Sequence, residues 1–74
     1  MANAAETLQA IYDSEINFSI TTMWDGGITV KLGDEYNGFG TGEGTFDTLA
    51  DGVAWLKQRV FEQYPDSKFT KENK

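Results

Sequence analysis

Residues 16–32 read Ile16-Asn17-Phe18-Ser19-Ile20-Thr21-Thr22-Met23-Trp24-Asp25-Gly26-Gly27-Ile28-Thr29-Val30-Lys31-Leu32, and this stretch decides the fold. Up to Trp24 the pattern has period two. Ile16, Phe18, Ile20, Thr22 and Trp24 share one face; Asn17, Ser19, Thr21 and Met23 share the other. Successive side chains of a strand point to opposite faces, so this is a strand with one buried side. The phase predicts that Phe18 and Trp24 point into the core. Asp25-Gly26-Gly27 is a tight-turn signal, because glycine accepts the positive φ of hairpin turns. Ile28, Val30 and Leu32 then alternate with Thr29 and Lys31, and the two runs form a hairpin.

Downstream, residues 33–38 read as a loop with Asn37-Gly38 at its turn. A short third strand is expected from Phe39 to Thr45. Glycine at 38, 40, 42 and 44 leaves one face of it bare, which admits a close backbone or marks a bulge. Thr48 to about Tyr64 reads as a helix, with Thr48 and Asp51 at capping-box spacing. Leu49, Val53, Leu56 and Val60 form its core stripe, widened by Phe61 and Tyr64, and Pro65 ends it. Upstream, Asn3 to about Glu15 is a second amphipathic helix. Ala4, Ala5, Leu8, Ile11 and Tyr12 fall on its apolar face, with Asn3 as N-cap and Glu6 completing the box. The expected fold class is α+β: a three-stranded antiparallel meander with two helices on one face, in the order α-β-β-β-α. Residues 1–65 form the single domain and 66–74 a polar C-terminal tail that Phe69 pins in part. The second sheet face, with Asn17, Ser19, Thr21, Thr29 and Lys31, is expected to stay open.

The 74 residues carry six bases and twelve acids, a formal net charge of −6. From Met1 to Leu56 the single base is Lys31 against nine acids, a sum of −8; Lys57 to Lys74 sums to +2. Nucleic-acid binders neutralise phosphates, so an acidic body argues against direct nucleic-acid contact, and the same field repels an anionic membrane. No run of apolar residues is long enough to span a bilayer, and the start has no secretory-signal pattern. A cytoplasmic setting is expected. The absence of Cys and His excludes disulfides, a catalytic thiol, a His-based triad and the usual zinc sites. No cofactor is expected.

The α-β-β-β-α order, with Gly40-Thr41-Gly42-Glu43-Gly44-Thr45 running into the second helix, resembles a double-stranded-RNA-binding domain over residues 3–64. That family's second helix opens with a Lys-Lys-x-Ala-Lys run that grips phosphates. Here the matching stretch is Phe46-Asp47-Thr48-Leu49-Ala50-Asp51, without a lysine. The resemblance implies the fold, degenerate in the basic motif, and not the RNA function. A second likeness is to HicB-like antitoxins over about residues 16–62. It rests on Trp24-Asp25-Gly26-Gly27 at the hairpin and Thr48-Leu49-Ala50-Asp51-Gly52 opening the helix; that family lacks the first helix. Trp24-Asp25-Gly26-Gly27-Ile28 with Tyr64-Pro65-Asp66-Ser67-Lys68-Phe69 is also similar to small bacterial proteins of unknown function, which implies a bacterial or phage origin.

The glycine run fails the G-x-G-x-x-G spacing, lacks a P-loop lysine and contains Glu43, so close packing is its reading. The carboxylate pairs Asp13/Glu15 and Asp34/Glu35 lack a calcium-loop spacing, and a thin domain offers little cleft for acid-base work. A non-enzymatic interaction module is therefore expected, binding a protein partner or itself. Trp55 is its lead residue. On the helical wheel it lies about 120° from Leu49, bracketed by Asp51, Gln58, Arg59 and Glu62. An exposed Trp marks a binding hot spot; the alternative is that the first helix or the tail around Phe69 covers it. The partner-binding set is Trp55, Asp51, Arg59 and Glu62, with Tyr36 and Phe39 from the loop. The runner-up function is an acidic decoy or antitoxin-like regulator, in which Glu35, Glu43, Asp47 and Asp51 imitate phosphates toward a nucleic-acid-handling protein.

Overall fold

The structure, a computed structural model, describes residues 3–33 and 43–74. The element order is α1 (Ala4–Asp13), β1 (Phe18–Met23), β2 (Gly27–Leu32), β3 (Glu43–Phe46), α2 (Leu49–Gln63) and α3 (Lys68–Asn73). The three strands form one antiparallel sheet in the order β1-β2-β3. The fold is the expected α+β meander with helices before and after the sheet, and α3 is an addition to it.

Register fixes the two faces. Phe18, Ile20 and Thr22 lie opposite Leu32, Val30 and Ile28, and Phe46 lies opposite Ile28. One face therefore collects the apolar residues, and α2 covers it. The other carries Ser19, Thr21, Thr29, Lys31, Glu43 and Thr45, with Thr29 and Thr45 hydroxyls 3.4 Å apart. The polar open face expected from the alternation is present, and Met23 sits at its end.

The core consists of Ile11, Ile16, Val30, Leu32, Val53, Leu56, Val60 and Phe69. Both long helices open as expected: the Asn3 side chain accepts from the Glu6 N–H at 2.9 Å, and Thr48 Oγ1 from the Asp51 N–H at 3.1 Å. Each bond satisfies an otherwise orphaned donor of the first turn.

Four expectations are corrected. Trp24 does not enter the core; it is 99 % exposed, because the ladder ends at the Met23–Gly27 pair and Trp24 begins the turn. Leu49 is 42 % exposed: α2 meets the sheet about one turn later, at Gly52, where an added Cβ would lie 2.9 Å from Val30 Cγ2. Tyr12 and Ala5 face solvent, since the buried line of α1 runs through Thr7 and Ile11, and Tyr12 lies about 100° round the helix from Ile11. The first strand is shorter than the 16–24 alternation, and Ile16 is buried ahead of it. Of the expected third strand, residues 39–42 lie outside the described residues.

The segment after Pro65, read as a polar tail, contains α3. Ser67 caps it, accepting from the Thr70 N–H at 3.2 Å. Thr70 Oγ1 donates to the Tyr64 carbonyl at 2.8 Å, which ties the short helix back to the end of α2. Phe69 is 2 % exposed and stacks on Phe61, with ring centroids 5.7 Å apart. Phe69 thus acts as a core residue.

Candidate functional site

Of the helix residues named from the sequence, Asp51 and Glu62 are exposed, and Trp55 and Arg59 are half-buried. The Trp55 ring packs on Phe46 of β3, centroids 5.7 Å apart and planes tilted by 47°. Neither α1 nor the tail makes this contact; it comes from the strand before the helix. Gly44 creates the room. A Cβ there would lie 2.6 Å from Phe46 Cζ and 3.4 Å from Trp55 Cε2. At Gly44 the bare position admits aromatic rings, in place of the close backbone or bulge expected of the glycine run; Gly38, Gly40 and Gly42 lie outside the described residues. The Arg59 guanidinium sits 6.0 Å from the Trp55 centroid, and its Nη1 donates to Glu62 Oε2 at 3.1 Å. Trp55, Arg59 and Glu62 therefore form a continuous strip along α2, with Trp55 half-buried at its sheet end.

Asp51 is exposed at the first turn of α2, where its charge also favours the positive end of the helix dipole. Asp47 is exposed just before that helix, and Glu43 reaches Lys31 at 3.9 Å across the sheet. Tyr36, Phe39 and Glu35 lie outside the described residues. Among the described residues no group of three or more Asp or Glu side chains could hold a metal ion, and no helix is long and apolar enough to cross a membrane. A groove of about 210 Å³ lies between the starts of α1 and α2, lined by Asn3, Ala4, Thr7, Ala50, Val53, Ala54 and Lys57.

Among the described residues the most exposed aromatic is Trp24, which the alternation places inside. Trp24 stands at the second position of the turn, after Met23, itself 59 % exposed. The turn is closed by Gly26 N–H donating to the Met23 carbonyl at 2.9 Å. A two-residue Asp25-Gly26 turn would have kept Trp24 paired with Gly27; the observed turn is one residue longer and pairs Met23 with Gly27, which frees Trp24. Beside this tip, and among the described residues, β1 has one strand neighbour and otherwise forms an edge of the sheet.

Compared with family models, with curated proteins and with solved structures, the chain matches none of them.

Proposed function

We propose that this protein is a protein-interaction module that holds another polypeptide against the β1 edge, with Trp24 as anchor. The supporting observation is the exposure of Trp24 at 99 %, flanked by Met23, at the end of an edge strand. A Trp side chain offers about 200 Å² of contact surface, and Trp is enriched among residues that dominate binding energy. An edge strand supplies backbone donors and acceptors for β-augmentation. The contact set thereby moves from the α2 strip to the hairpin. The element order supports a likeness to the double-stranded-RNA-binding domain at the level of architecture, while the α2 start, with Asp47 and Asp51, supplies no phosphate grip.

The test is site-specific photocrosslinking from position 24 in cells. A protein adduct from position 24, absent from position 12 on the outer face of α1, is expected. Adducts only with lipid or nucleic acid, or none, overturn the reading.

A second reading, the acidic decoy, draws on the exposure of Asp47 and Asp51 at the α2 start. It requires partner affinity to fall steeply with salt. Equal affinity at low and high salt removes it.

A further inference from the structure

We infer that the polypeptide held at the β1 edge is a second copy of this chain, paired antiparallel, β1 to β1, about a two-fold axis at Thr21. This rests on the reading above and names its partner.

The first argument is charge. Residues 16–24 form the longest uncharged run in a chain of net charge −6. Two copies repel through most of their surfaces, and β1 is where they meet without like charges opposed. Exposed edge strands are commonly protected by lysine, proline or an inward charge. β1 reads Phe-Ser-Ile-Thr-Thr-Met and has none of these. β3, the other edge, carries Glu43.

The second argument is hydrogen-bond parity. The Gly33 N–H donates to the Asn17 carbonyl at 2.8 Å, and these residues face each other in the continuation of the β1–β2 register. In an antiparallel pair the bonded positions alternate. Odd-numbered residues of β1 therefore turn their backbone groups to β2, and Phe18, Ile20 and Thr22 turn theirs to the open edge. Antiparallel self-pairing must match even with even positions.

The third argument selects the register. An axis at Thr21 sets Ile20 against the partner's Thr22, Met23 against the partner's Ser19, and Trp24 over the partner's Phe18. Phe18 is half-buried at this edge and Trp24 is bare, so each covers what the other leaves exposed. Trp24 lies in the turn just past the last rung of β1, so its ring would overhang the partner's first strand residue instead of joining the ladder. An axis at Ile20 satisfies the same parity but, beyond the ends of the paired strands, carries the turn residue Asp25 toward the partner's Glu15, which disfavours it. The Thr21 axis carries Asp25 toward the partner's Asn17. The two three-stranded sheets would then form one continuous sheet.

Sedimentation equilibrium of the purified chain tests this directly, with a rise from 8.2 kDa toward twice that mass as concentration increases. Thr22→Pro removes an edge-facing N–H, and Trp24→Ala removes the anchor. Each is expected to weaken association at least about tenfold with the circular dichroism spectrum retained. Because the chain has no cysteine, register is read by Thr21→Cys. Its two thiols meet at a non-hydrogen-bonded pair on the axis and should form an intermolecular disulfide on mild oxidation, whereas Thr29→Cys on the central strand should not. If Thr22→Pro fails to fold, the two cysteine variants carry the test. A constant 8.2 kDa mass overturns self-pairing. Equal disulfide formation from positions 21 and 29 overturns the register. A monomer whose position 24 still crosslinks to a different protein overturns this inference and leaves the broader reading standing.

Discussion

The Trp55 ring rests on Phe46, centroids 5.7 Å apart at a tilt of 47°. This pair joins the middle of α2 to the end of β3, so Trp55 contributes to packing there. Trp55→Ala is expected to cost about 2 kcal/mol, less than a fully buried Trp would. Urea denaturation measures it. An unchanged midpoint would mean that the pair contributes nothing.

Gly26 and Gly27 are adjacent in the turn but are not equivalent. Gly27 has φ 86°, and a Cβ there would lie 2.9 Å from the Phe46 carbonyl oxygen. Gly27→Ala therefore combines backbone strain with a backbone clash and should cost more than about 1 kcal/mol. Gly26→Ala meets only Met23 Cβ at 3.4 Å and should change stability by less than about 0.5 kcal/mol. Thermal melts of the two variants side by side check the contrast.

Glu15 occupies the left-handed region, φ 63°, just after the C-cap of α1. Helices commonly end on such a residue, and glycine is the usual occupant. Glu15→Gly removes the strain and is expected to stabilise by up to about 1 kcal/mol. A lowered melting temperature would contradict it.

Removing residues 66–74 strips Phe69 from the core and leaves Phe61 without its stacking partner. Loss of a buried Phe typically costs about 3–5 kcal/mol, comparable to the whole margin of a domain this small. The chain ending at Pro65 should show no cooperative melt, and Phe69→Ala should melt well below the parent.

The meander was legible because alternation of apolar and polar residues over 18–22 and 28–32 is a direct record of strand pleat, and Asp25-Gly26-Gly27 marks the reversal. The caps at Asn3 and Thr48 were legible for the same local reason. Trp24 was misplaced because a period-two pattern does not announce where the ladder stops. Leu49 and Tyr12 were misplaced because helical periodicity defines a stripe without saying where along it the sheet begins. The partner of Trp55 was hidden for a different reason. Phe46 reaches it over Gly44, a tertiary arrangement that no single-helix wheel contains. α3 was missed because six residues with one buried aromatic, Phe69, produce no periodic signal.

Gly52 lies in the interior of α2, where glycine lowers helix propensity by about 1 kcal/mol relative to alanine. What it permits is proximity, since the nearest methyl of Val30 already fills the space a side chain would need. A side chain at position 52 is therefore blocked while Val30 keeps that methyl in place. A redesign that adds a carbon at 52 is best paired with a smaller residue at 30, so the two sites are best varied together.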